Sequence, residues 1–249
     1  MLNREELNKY GPPGFNPYQK EKDYVQYWIL SFLSQSGFRG IFKGGTALQK
    51  AFGLPRFSED LNFTLNENQG PDNDAITAFL SSTGFQGMSW KGETSEISIS
   101  NKLRFKGPLY NGNVVSEGTI LMEFSKREKV ILEPAQIMIT PPYPDILPYQ
   151  LNVMNKDEMA SEKVRAILTR RSARDLFDLY FLMRQGVRID KGMIEKKLEY
   201  YKIQFNKKDA ESRIEKLKGM WKKEISLLTT NFLEYELVAE EVIKRIREA

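Results

Sequence analysis

Apolar and polar positions change their rhythm along this chain. Residues 1–19 carry Gly11-Pro12-Pro13-Gly14 and Asn16-Pro17, a short helix or arm followed by an irregular connection. From Lys20 to Ser36, Tyr24, Trp28, Ile29 and Phe32 recur at helical spacing, and Gly37 stands where a left-handed cap is expected. Ile41 to Lys43 is a short buried strand, followed by a glycine pair, a helix from Thr46 to Phe52, and an alternating segment that carries Asp60 and Asn62. A polar loop over Asn66 to Asn73 leads to a helix over Asp74 to Thr83, closed by Gly84. Between Met88 and Phe124 the period becomes two, with glycine punctuation, which predicts antiparallel strands. Lys129 to Ile139 and Tyr149 to Met154 read as further strands. The proline-rich Thr140 to Pro148 reads as the connection between two halves, because proline has no place in a central strand.

After Asn155 the pattern is helical. Helices are expected over 155–170, closed at the start by Asn155 and acidic residues, then over Ser172 to Arg184, Asp190 to Tyr201, Lys208 to Leu228 and Glu234 to Arg247. The fold class is therefore α+β, with a strand-bearing domain over 1–150 and a helical domain over 151–249.

Composition narrows the chemistry. The 249 residues are 41% hydrophobic and 28% charged, ordinary for a globular chain, and contain neither cysteine nor histidine. Disulfides, cysteine or histidine metal sites, and Ser-His or Cys-His catalysis are excluded together. Chemistry is left to carboxylates, Lys, Arg, Tyr, Ser and Thr, and the natural metal is Mg²⁺ or Mn²⁺ held by oxygen. A net charge of +4 is compatible with a nucleic-acid partner without requiring one. No apolar run approaches a membrane span and the N-terminus lacks the apolar core of a signal peptide, so a cytoplasmic protein is expected.

Three groups of residues carry candidate chemistry. A strand running into Gly44-Gly45-Thr46 and a helix start presents backbone N–H groups and the positive end of a helix dipole, a setting for phosphate. Asp60, at the start of the next strand, is placed to hold a metal beside it, although a glycine pair and one acid also occur in plain turns. Glu123 is an acid inside an apolar strand, either exposed at an edge or facing a metal site from a central strand. Finally, Lys163 and Arg170 share a helix face, as do Asp175 and Asp178. They form either a structural ion-pair cluster or a site in which Lys163 neutralises phosphate charge and Asp175 orients it.

The stretches KGGTALQKAFGLPRFSEDLNF and SEKVRAILTRRSARDLFDLYFL resemble the AbiEii-type nucleotidyltransferases, toxins of type IV toxin–antitoxin and abortive-infection systems, to which the mycobacterial MenT toxins are related. Gly44, Gly45, Thr46, Leu48, Arg56, Phe57, Ser58, Glu59, Asp60, Glu162, Lys163, Ala166, Arg170, Arg174, Asp175 and Asp178 carry the resemblance, in order, over residues 20–185. It implies a DNA polymerase β-like fold: a small mixed sheet with helices, followed by a helical domain. It implies an enzyme that moves a nucleoside monophosphate from a triphosphate to an acceptor hydroxyl, a tRNA 3′ end or a protein, with Mg²⁺ or Mn²⁺ and a cognate antitoxin as partner. It assigns nucleotide binding to Gly44, Gly45, Thr46, Ser58 and Lys163, metal binding to Asp60, Asn62 and Glu123, and catalysis to Asp60, Glu123, Lys163 and Asp175. Where the family pattern has a second aspartate, this chain has Asn62, which offers a neutral oxygen in place of a charge. An impaired member that binds nucleotide, RNA or a partner without turnover is the alternative.

Overall fold

The computed structural model describes residues 1–65, 70–127 and 129–248. They form two compact units. Unit 1 comprises Met1–Phe52, Phe57–Lys129 and Pro134–Val153; unit 2 comprises Gly53–Arg56, Val130–Glu133 and Met154–Ala249. No helix among the described residues is long and apolar enough to cross a membrane.

Unit 1 opens with helices α1 (Arg4–Tyr10) and α2 (Pro17–Gln35). The second begins three residues before the expected Lys20, because Asn16 and Gln19 exchange side-chain and backbone hydrogen bonds in a capping box and Pro17 occupies the first turn. It ends as expected at Gly37, whose φ is +74°. Strand β1 (Ile41–Lys43) then runs directly into α3 (Gly44–Phe52), followed by β2 (Leu61–Thr64). Residues 66–69 of the expected polar loop lie outside the described residues; α4 (Asn73–Ser82) follows, capped by Asp72.

The antiparallel run appears as β3 (Gln86–Thr94), β4 (Ser98–Lys106) and β5 (Gly118–Ser125). Two further strands, β6 (Ala135–Ile139) and β7 (Tyr149–Val153), pair with each other. The expected strand from Lys129 is therefore shorter at its start. Ile131 and Leu132 turn their N–H groups to the Glu158 carboxylate, at 3.0 and 2.9 Å, instead of to a strand partner. The proline-rich segment is also reassigned. It joins two paired strands within unit 1 rather than two halves.

Among the described residues the sheet has seven strands in the order β3-β4-β5-β2-β1-β7-β6. The β2–β5 and β1–β7 pairs are parallel and the rest antiparallel, so the sheet is mixed. One face carries the core. Phe42, Phe63 and Phe124 are register partners across β1, β2 and β5, with Phe63 and Phe124 stacked at 5.4 Å and Phe38 edge-on to both. Side chains alternate, so the next row, Lys43, Asn62 and Glu123, points to the other face.

Unit 2 contains α5 (Lys156–Thr169), α6 (Ala173–Arg184), α7 (Lys191–Leu198), α8 (Lys207–Glu215), α9 (Lys218–Ile225) and α10 (Tyr235–Glu248). Here the single helix expected over Lys208 to Leu228 is two. The chain tightens between them, with N–H of Leu217 on the Ile214 carbonyl and N–H of Met220 on that of Leu217. Ile214, Leu217, Trp221 and Ile225 stay buried at helical spacing through the break, which hides it from the pattern. In the core of this unit Lys197, 1% exposed, donates to Glu158 at 2.5 Å and to Glu162 at 3.2 Å.

Removing the central ring of the aromatic row tests its weight. Phe63→Ala is expected to destabilise the protein by about 3–5 kcal/mol in chemical denaturation; a loss under about 1 kcal/mol would show that the row is not the anchor.

Candidate active site

The short strand β1 ends at Lys43, and Gly44, at φ +78°, turns the chain straight into α3. The helix therefore begins two residues before the expected Thr46. This residue lies in the first turn, fully buried, and its hydroxyl donates to the Asp60 carbonyl at 2.6 Å. A side chain at Gly44 would also press on Asn62: an added Cβ would lie 3.3 Å from the Asn62 Cβ. The helix start and the acid-bearing strand thus meet at Gly44 and Asn62.

Sheet register places the acids. Asn62 of β2 is the partner of Glu123 of β5 on one side and of Lys43 of β1 on the other. Asp60 lies two residues before Asn62, immediately ahead of β2. Glu123 is exposed, and its strand lies between β4 and β2, so it faces outward from the interior of the sheet rather than from an edge. The amide nitrogen of Asn62 donates to the Asp60 carbonyl at 3.4 Å. The carboxylates of Asp60 and Glu123 and the amide oxygen of Asn62 could together offer only oxygen donors, the kind that suits Mg²⁺ or Mn²⁺. Such a set would carry two charges, and among the described residues no group of three or more acids is placed to hold a metal.

The segment that presents Asp60 is tied from beneath. Gln26, fully buried on α2, donates its amide to the carbonyls of Ser58 at 3.0 Å and Glu59 at 2.8 Å. Gln49 of α3 accepts the N–H of Ser58 at 3.1 Å and donates to Asp23 at 3.1 Å. That carboxylate also receives Lys50 at 2.8 Å and the Tyr143 hydroxyl at 2.9 Å. Burial pushes the Lys50 ammonium below its usual pKa, with Asp23 opposing. Burial and the Asp23 charge push the Tyr143 hydroxyl far above its own, so it remains a donor. Sequence reading did not single out Gln26 or Gln49. Their one signal is an amide among apolar neighbours along the chain, Tyr24, Val25 and Tyr27 around Gln26 and Leu48 before Gln49.

Lys163 and Asp175 lie in unit 2. Arg170 is not on the helix with Lys163 but just past its end, in extended conformation. From there it forks onto Asp175 with bonds of 2.7 and 2.8 Å. Lys163 bridges Asp175 at 3.0 Å and Asp178 at 2.7 Å. Arg56 forks onto Asp178 at 2.6 and 2.7 Å. Burial alone would raise the Asp175 carboxyl; Lys163 and Arg170 outweigh it and hold it well below the usual range. Asp178 is lowered likewise, with Arg56 and Lys163 overcoming burial. The pairing of Arg56 with Asp178 was not foreseen, since the two are 122 residues apart.

Two variants probe these arrangements. Gly44→Ala forces a side chain into a left-handed backbone and is expected to cost about 1–2 kcal/mol in denaturation, together with weaker nucleotide binding by calorimetry. Asp178→Asn strips both buried cations of a counter-charge and is expected to cost about 3–5 kcal/mol near pH 7. The wild-type carboxyl has a folded pKa below its unfolded one. Its stabilisation is complete above about pH 4 and is lost as pH falls through the folded value. Stability measured against pH should therefore drop less steeply on the acid side in the variant.

No curated protein sequence matches the chain. Among solved structures it is similar to MenT4, a nucleotidyltransferase toxin of Mycobacterium tuberculosis, at 19% identity and TM-score 0.63, over 100% of this chain and 91% of that one. It is also similar to JHP933 of Helicobacter pylori, at 20% identity and TM-score 0.57, over 100% and 93%. At these identities the likeness is one of fold. Residues 31–241 match the family described as "Nucleotidyl transferase AbiEii toxin, Type IV TA system", and the chain, with its mixed sheet and helical unit, belongs to that family.

Proposed function

We propose that this protein is a metal-dependent nucleotidyltransferase that acts in the cytoplasm and transfers a nucleoside monophosphate from a triphosphate to an acceptor hydroxyl, at a tRNA 3′ end or on a protein. The carrying observation is the meeting of the α3 start at Gly44 with the row that holds Asn62 and Glu123. In this reading the backbone of Gly44, Gly45 and Thr46 receives the phosphates at the helix N-terminus, the Thr46 hydroxyl being committed to the Asp60 carbonyl, and Ser58, on the segment before β2, is a further phosphate ligand. Asp60 and Glu123, with the amide oxygen of Asn62, hold Mg²⁺ or Mn²⁺. The ion when bound would supply charge neutralisation on the phosphates. An acceptor hydroxyl attacks the α-phosphorus, the bond to the bridging oxygen breaks, pyrophosphate leaves and the hydroxyl proton is released. Positioning and electrostatics carry such a reaction, so the lack of histidine is no obstacle.

For unit 2 the proposed roles are charge stabilisation by Lys163 and orientation by Asp175. Asp175 is 1% exposed and engaged by two cations, so its part is to hold Lys163 and Arg170 in place. Family membership also supports an antitoxin as the partner that restrains the activity.

Asn62 favours a second reading, a member that binds nucleotide or RNA without turnover, because it removes one charge from the metal ligands. Both are tested together. The protein is incubated with each α-labelled triphosphate, Mn²⁺ or Mg²⁺, and total tRNA, with Asp60→Ala as control. Label in tRNA or in protein that is lost in the control is expected. Calorimetric uptake of nucleotide with no label in any acceptor establishes the second reading, and transfer of γ-label instead of α-label overturns the first.

A further inference from the structure

Taking the proposed transfer as its basis, we infer that the open face of β3, β4 and β5 is the surface on which the acceptor lies, and that this acceptor is a nucleic acid held by its phosphates. Register carries the row of Asn62 and Glu123 across this arm of the sheet. Glu123 of β5 is the partner of Ser100 of β4, which is the partner of Glu93 of β3. Two residues along the same strands the row is Leu121, Lys102 and Lys91, and two further it is Thr119, Arg104 and Ser89. The period of two keeps all of these side chains on the face that carries Asn62 and Glu123. On the opposite face Leu103 and Phe105 of β4 are fully buried, whereas Lys91, Lys102, Arg104 and Ser89 are exposed. Lys102 stands roughly 7 Å along the strand and 5 Å across from Glu123. Because β2 and β5 run parallel, its row lies toward the end of the sheet at which the chain enters β2.

Charge on this face is arranged against the fold's own interest. Lys91 and Lys102 are direct partners on adjacent strands, where like charges repel. Among the described residues neither has an ion-pair partner, and Glu93, one row away, is paired with neither. Arg104 approaches Glu117 at 3.6 Å, yet its side chain remains 54% exposed. Lys106 continues the series, its ammonium 4.8 Å from the centre of the Tyr110 ring. Along β4 the cations Lys102, Arg104 and Lys106 thus recur every second residue, about 6.8 Å apart. A phosphate backbone would relieve this crowding and release its own counterions in doing so. The rest of the face favours a nucleic acid over a protein. Lys, Arg, Ser and Thr are side chains that bind phosphate oxygens, and Ser89, Ser100 and Thr119 stand among the cations. Protein interfaces are built instead on aromatic anchors and are poor in Lys. The apolar member of these three rows is Leu121, half-buried and without an aromatic neighbour in its row.

Binding to the full chain tests this surface apart from turnover. Fluorescently labelled total tRNA is titrated with protein, without nucleotide or metal, and anisotropy is read over a range of salt. Affinity is expected to fall as salt rises, with a logarithmic slope of roughly 0.7–0.9 per phosphate contacted. Lys102→Glu and Lys91→Glu should each weaken binding by about tenfold or more and flatten the slope by about one contact. Lys91→Glu also sets opposite charges face to face, so its denaturation midpoint should rise; loss of binding in a more stable protein does not come from misfolding. Lys223→Glu, on α9 of unit 2, changes the total charge equally and is expected to cost far less. No binding at low salt, binding indifferent to salt, or an equal loss in Lys223→Glu would overturn the inference. So would α-label passed to protein while tRNA stays unbound, an outcome that leaves the transfer reading standing. Binding of tRNA through Lys91 and Lys102 with no label in any acceptor would support the surface and sink only the transfer reading.

Discussion

Everything at the candidate site depends on strand register, and register here is held by aromatic packing. Phe42, Phe63 and Phe124 are partners across three adjacent strands, and all three are buried to within 1%. Side chains alternate with a period of two, so a slip by one residue would bring Asn62 and Glu123 into the core and expose the rings. The cost of that exchange is large on both counts: lost burial of three rings and an unpaired carboxylate taken out of water. The rings on one face therefore decide which residues stand on the other. They need no direct contact with the acids to do so.

Register alone would leave Asp60 loosely set, because it precedes the strand instead of lying within it. The buried polar ties compensate. Thr46 fixes its carbonyl, and Gln26 and Gln49 fix the peptide groups of Ser58 and Glu59. Those amides are costly to bury unless bonded, which makes the arrangement close to all-or-none. Asp23 extends it to Lys50 and Tyr143, so α2, α3 and the loop before β7 share one polar core with the segment that carries Asp60.

The parts of this structure that were legible are those set by local periodicity. Ile41–Lys43 as a strand, the helix closed by Gly37, and the burial of Ile120, Met122 and Phe124 opposite Glu123 all follow from spacing. What escaped is set by bonds that periodicity does not record. The early start of α2 rests on the Asn16–Gln19 exchange, and the break at Lys216–Leu217 on tightened backbone bonds beneath an unbroken apolar stripe. The partner of Arg56 lay far along the chain, and Gln26 looked like any polar residue on a helix. Glu123 was ambiguous for a similar reason: one strand's pattern cannot tell an edge from an interior position, and only the insertion of β5 between β4 and β2 decides it.

Unit 2 shows the opposite balance between charge and packing. Arg56 and Lys163 engage Asp178, and Lys163 and Arg170 engage Asp175. A buried ion keeps its desolvation cost unless well-placed partners repay it. The Arg170 side chain is 61% exposed while Lys163 and Arg56 are 10% and 3%. Water therefore screens the Arg170 end of the arrangement, and the interior pairs carry most of the desolvation cost. The sequence KVRAILTRRSARDLFD encodes this by ending α5 at Thr169, which swings Arg170 out of the helix and lets its guanidinium meet Asp175 from the solvent side. An unbroken helix would carry Lys163 and Arg170 on one face but would not allow both to reach the same carboxylate from different directions.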